Sequence, residues 1–201
     1  MLKLILNQTS WGIFGSIFGF VIGFFLKIYV IDIVGLDSWG KYASSLAIMS
    51  LIDLFISLSI PTIIIKYFSN TVEKNVEKSN NLINKFISYV FFSSLFAISL
   101  LIIFSSYIDI KIYSNLKDFK FFLVLMSFHI PLTALNSIII SLFRSVLKIK
   151  EIILYGTIIN VIVRALATFI VFIYTSNIFY FILIEILSSL LSVSLLYYIF
   201  H

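Results

Sequence analysis

Val30-Ile-Asp-Ile-Val-Gly-Leu-Asp-Ser-Trp-Gly-Lys-Tyr42 lies between two apolar runs, each long enough to cross a bilayer. Gly35 and Gly40 punctuate the stretch as a turn, and Asp32, Asp37 and Lys41 hold that turn at a water interface. From Ala43 the chain stays apolar to Ile60, then meets Pro61 and Lys66. The pattern predicts a helical hairpin over Tyr29 to Lys66 that turns in water and returns through the membrane. The returning arm carries one acid, Asp53, and a tight hairpin with an intramembrane charge points to a transporter.

The composition agrees. Hydrophobic residues make up 61% of the 201 positions and charged residues 11%, too few to cover a soluble domain of this size. A span needs roughly 20 apolar residues, so the length admits about six spans with short loops. The reading is an all-α, polytopic transmembrane bundle. The absence of Cys excludes disulfides and thiolate metal sites, and no cofactor is called for. The net charge of +5 comes from scattered loop residues, which points to topology and not to nucleic acid. The first span is long, lacks a small-residue cleavage site and runs into further spans, so it reads as retained.

The expected spans are 11–31, 39–66, 86–107, 121–146, 152–174 and 178–200, with 67–85 as a cytoplasmic linker. In the first, Gly15, Gly19 and Gly23 recur every fourth residue, a spacing that lets another helix approach closely in lipid. Lys27 is the next step of that series, although an ideal helix drifts about 40° per four residues. It reads as facing protein or a cavity, with snorkelling to the interface as the alternative. In the second, Ser50, Asp53 and Ser57 share a face, so Asp53 faces a polar interior or pairs with a neighbouring helix. Pro61 breaks the ladder near the far end.

The fourth span sets His129, Thr133 and Asn136 on one face, and Pro131 there frees a carbonyl. In the fifth, Thr157, Asn160, Arg164 and Thr168 form a polar stripe, with Arg164 near mid-span. The sixth has Glu185, Ser188 and Ser192 on one face. Arg164 lies about eleven residues before the Thr175-Ser-Asn177 turn and Glu185 about nine after it. At about 1.5 Å per residue the two reach similar depths on antiparallel helices, which predicts an Arg164–Glu185 pair. Such a pair is either a structural bridge or a gate on an anion site.

Basic residues set the orientation. With the N-terminus inside, cytoplasmic segments hold Lys3, Lys66, Lys74, Lys78, Lys85, Arg144, Lys148 and Lys150, against Lys41, Lys111, Lys117 and Lys120 outside. The roughly two-to-one bias predicts both termini in the cytoplasm.

The Gly-rich first span with its basic residue, the hairpin Gly35-Leu-Asp-Ser-Trp-Gly-Lys-Tyr42, and the second-span ending Ser59-Ile-Pro-Thr-Ile-Ile-Ile-Lys66 together resemble the polysaccharide-biosynthesis flippases of the Wzx type. These belong to the superfamily of multidrug, oligosaccharidyl-lipid and polysaccharide exporters. Members place a Gly, an aromatic-Gly pair and a Tyr at this hairpin. Six spans correspond to one lobe of that fold, so the resemblance implies a second lobe from a partner, a homodimer or further chain. It also implies a bacterial-type inner membrane and a lipid-linked oligosaccharide as cargo.

Such a cargo needs a hydrated cationic cavity for its pyrophosphate and sugars, and an apolar flank for its lipid. The polar stripes offer Lys27 and Arg164 for the pyrophosphate. They offer Asn160, Thr157, Thr168, Asn136 and His129 for sugar hydroxyls, and Asp53 or Glu185 for a coupling cation or a charge pair. Two alternatives differ in class: a multidrug or cation exporter using Asp53 and Glu185, and a non-transporting assembly subunit. A membrane glycosyltransferase would need clustered acids or His/Arg sets in a large loop, which the chain lacks.

Overall fold

The computed structural model describes the backbone of residues 2–57, 60–72, 76–111 and 119–200, and the side chains of 8–57, 60–68, 81–110 and 119–200. The described residues are helical, without strands, in the order α1 (Leu2–Ser57), α2 (Ile60–Val72), α3 (Val76–Lys111), α4 (Phe119–Ser127) and α5 (His129–Ser145). There follow a short α6 (Ile149–Glu151), a π-helical turn (Ile152–Ile158), α7 (Ile159–Phe172) and α8 (Ile178–Phe200).

The run Gln8–Ser57 within α1 has 50 apolar-rich residues, about 75 Å at helical rise against about 30 Å of hydrocarbon. It does not cross once. Gly35 breaks it, at φ 81° and ψ 161°, a region that only glycine enters without strain. The neighbours of the two arms show that the chain reverses there. In the first arm, Gln8 accepts a hydrogen bond from the Lys150 amide at 3.0 Å, and Tyr29 stacks near Phe169 and Phe172. That arm therefore runs parallel to α6–α7. In the second, Tyr42 meets Glu185, and beyond it Phe68 of α2 meets Phe200, so α1's second arm and α2 run parallel to α8. Because α7 and α8 are antiparallel, joined by Arg164–Glu185 and Gly156–Ser192, so are the arms.

The same reasoning sets the remaining directions. Lys120 reaches Ser106 at 2.8 Å, which turns α4 back along α3, and Phe121–Phe179 and Phe143–Phe200 align α4–α5 with α8. The bundle therefore makes six alternating crossings among the described residues. Gln8, Phe68, Phe143, Lys150 and Phe200 gather at one end, and Gly35, Phe121 and Phe179 at the other. Lys66, Lys85, Arg144, Lys148 and Lys150 lie toward the first end. Lys3, Lys74, Lys78, Lys111 and Lys117 fall outside the described side chains, as does most of the expected 67–85 linker, whose backbone is helical to Val72 and again from Val76.

A proline explains the break between α4 and α5. Pro131 cannot donate to the Ser127 carbonyl and its ring crowds it, and the helix is interrupted at Phe128 between α4 and α5. Pro61 lies at the start of the described part of α2, next to residues 58–59, which are outside the described residues. The core of Val30, Leu123, Met126, Ile130, Ile138 and Ile182 fills the centre. The outer faces are apolar and exposed, with Ile17, Phe20 and Phe25 on α1 and Phe92, Phe96 and Ile103 on α3. That distribution suits lipid as the surrounding solvent.

Candidate functional site

Four-residue spacing puts Asn160, Arg164 and Thr168 on one face of α7, and α8 turns Glu185, Ser188 and Ser192 toward it. Arg164 Nη1 donates to Glu185 Oε1 at 3.0 Å, at the shared depth that the length of the connecting turn predicts. One turn away, Asn160 Nδ2 donates to the Ser188 carbonyl at 3.0 Å. One turn further, Ser192 Oγ donates to the Gly156 carbonyl at 3.2 Å. Gly156 lies in the π turn, where the Ile159 amide bonds five residues back to Leu154. Its lack of a side chain admits Leu196, whose Cδ1 would stand 3.1 Å from an added Cβ.

The π turn also alters the stripe predicted from α-helical spacing. Thr157 turns its methyl to α1, 3.4 Å from where a Cβ on Gly19 would stand. It packs in the α1–α7 side of the bundle, apart from the hydrogen bonds of Asn160 and Arg164. The glycine series works at its start: a Cβ on Gly15 would lie 2.5 Å from Ile153 Cγ2. Lys27 does not continue that seam and is exposed. Twelve residues on from Gly15 it has rotated by about 120°, away from α7, while Leu26 and Val30 take the buried positions.

Glu185 has a second partner that the sequence reading did not assign. Tyr42, 4% exposed, donates its hydroxyl to Glu185 Oε2 at 2.8 Å across 143 residues of chain. Its ring is held by Trp39 at 4.9 Å and Phe181 at 5.4 Å between centroids. Only the tyrosine of the hairpin pattern itself marked it. Both Glu185 oxygens are thus engaged, and the residue is 7% exposed. Among the described residues, Arg164 is engaged at one nitrogen only. Its Nε is buried without a hydrogen-bond partner, as are Thr168 Oγ1 and Asn136 Oδ1.

On the α5 side of α8 the polar line has a second branch toward the same end of the bundle. His129 Nε2 lies 3.0 Å from Ser189 Oγ, one turn beyond Glu185. Thr133, one turn along from His129, places its hydroxyl 3.3 Å from Asp53 Oδ1 and 2.9 Å from the Ile130 carbonyl. Asp53 is half-buried, and Ser57 Oγ caps its backbone carbonyl at 2.7 Å. The structure therefore brings Arg164, Glu185, Asn160, His129 and Asp53 onto one line along α8 and α5. Thr168 and Asn136 are adjacent but unpaired, and Thr157 and Lys27 lie to the side. Among the described residues no three His, Cys, Asp or Glu side chains gather as a metal site. The chemistry on offer is charge recognition and hydrogen bonding inside an apolar bundle.

No curated protein and no solved structure matches the chain. A family model described as polysaccharide biosynthesis protein matches residues 5–201, and the chain belongs to that family.

Proposed function

We propose that this chain is a carrier and not an enzyme, and that it moves a lipid-linked oligosaccharide across the inner membrane during cell-surface polysaccharide biosynthesis. In this role it works as one six-helix lobe beside a second lobe or a second copy. The termini lie on the cytoplasmic side, where the basic end of the bundle supports the assignment. The observation that carries the reading is Arg164, a guanidinium at mid-membrane with a buried, unpartnered Nε. A cation held at that depth suits an anionic pyrophosphate. Asn160 and His129 lie along the same line for sugar hydroxyls. An apolar groove of about 410 Å3 between α1 and α3, lined by Ile52, Phe55, Ile56, Phe96 and Leu100, fits the greasy flank that an isoprenyl chain needs.

The cation-exporter alternative has less support. It calls on Glu185, and that carboxylate is already taken by Arg164 and Tyr42. Replacement of Arg164 by Gln tests the proposal in cells that depend on this chain for surface glycan. Export is expected to fall at least tenfold while the protein remains in the membrane. Export at the wild-type level would leave Arg164 a structural residue and favour the assembly-subunit reading.

A further inference from the structure

A guanidinium facing a carboxylate ordinarily forms a fork, with two parallel N–H···O bonds. Here it does not. Arg164 donates Nη1 to Glu185 Oε1, Tyr42 takes Oε2, and Arg164 Nε is left buried with no partner. A buried, unpaired N–H of a charged group is costly, so its persistence calls for an explanation. One turn along the same face of α7, Thr168 Oγ1 is also buried and unpaired. Arg164 Nε and, one turn along α7, Thr168 Oγ1 are thus two buried polar atoms without partners, and both can donate.

We infer that Tyr42 is a positioning residue that, by occupying Glu185 Oε2, keeps Arg164 single-bonded and leaves its Nε, with Thr168, to take up a phosphate oxygen. The inference deepens the proposed function and rests on it for the identity of the cargo. Without the Tyr42 hydroxyl, Glu185 turns its freed oxygen onto Nε and closes the fork, so the carboxylate competes with an arriving phosphate. Without the Glu185 charge, the whole guanidinium is available. Tyr42 and Glu185 touch each other, yet their removal acts on anion binding in opposite directions. A purely structural contact has no such sign.

The test is a titration of the full chain in zwitterionic nanodiscs, with geranylgeranyl pyrophosphate as the lipid-borne probe and inorganic pyrophosphate as the free one. Tyr42→Phe retains the ring against Trp39 and Phe181 and is expected to weaken binding about tenfold. Glu185→Gln is expected to tighten it about tenfold, and Tyr42→Phe on top of Glu185→Gln to have no further effect. Thr168→Val is expected to weaken binding severalfold without touching Tyr42 or Glu185, and thermal melting of each variant checks folding. If the wild type binds and Tyr42→Phe and Glu185→Gln shift affinity in the same direction, or not at all, the inference is overturned and the carrier reading stands. Opposite shifts with inorganic pyrophosphate but no binding of the lipid form uphold the anion site and overturn the lipid-linked cargo. Absence of binding by either probe overturns both.

Discussion

Two acids, Asp53 and Glu185, lie away from the ends of the apolar spans, and the bundle treats them differently. Glu185 is 7% exposed, with Arg164 on one oxygen and the Tyr42 hydroxyl on the other. Asp53 is half-buried, and its described contact is a 3.3 Å approach from Thr133, whose hydroxyl lies closer to a backbone carbonyl. Among the described residues no ion pair reaches Asp53. The contrast follows from desolvation. A fully enclosed carboxylate requires a cation and hydrogen bonds to offset its desolvation, whereas one left partly uncovered keeps room for a further partner. Glu185 therefore belongs to the internal architecture as well as to the site, while Asp53 is free to exchange its company. That freedom suits the coupling-cation role for which the sequence reading offers it.

The comparison breaks most readily at Arg164. Replacing it with Ala strands the Glu185 charge in the interior, and a loss of about 3–5 kcal/mol is expected in thermal melting of the purified chain. A loss no greater than that of Asp53→Asn would erase the distinction between the two acids.

A smaller effect is expected at the turn that delivers Tyr42 to Glu185. Gly35 at φ 81° admits no Cβ without strain, so Gly35→Ala is expected to cost about 1–3 kcal/mol. Gly40→Ala serves as the control. It sits within the helix with open space around a new Cβ, and is expected to be neutral or to stabilise by about 0.5–1 kcal/mol. Equal melting of the two alanine variants would show that the hairpin does not depend on the Gly35 conformation.

The smallest effect sharpens the comparison from the other side. Asp53→Asn keeps the shape and one acceptor for Thr133, and stability is expected to stay within about 1 kcal/mol of wild type. Ion- or proton-dependence of export in cells is expected to be lost. Export of unchanged ion dependence would make Asp53 a passive member of the polar line.

Much of this site is legible in the chain because depth along a helix is additive. Counting from the Thr175–Asn177 turn places Arg164 and Glu185 level, and the structure pairs them. Azimuth is less readable. The drift of an ideal helix carries Lys27 away from the face of Gly15, and the π turn displaces Thr157 from the stripe that regular spacing draws. Tyr42 was legible only as a member of the hairpin pattern, since nothing local to it anticipates a partner 143 residues away.

By itself the amino-acid sequence determined that the chain is an all-helical membrane bundle. Apolar length and residue spacing are local properties, and the bilayer leaves helices as the available solution for such a chain. Tertiary structure alone decided that Gly35, and not Gly40, takes the positive-φ conformation at the hairpin turn, that Tyr42 completes the shell of Glu185, and that Arg164 keeps a nitrogen unpaired. Each of these depends on how helices distant in the chain rotate against one another, and that is set by the packing of their shared core.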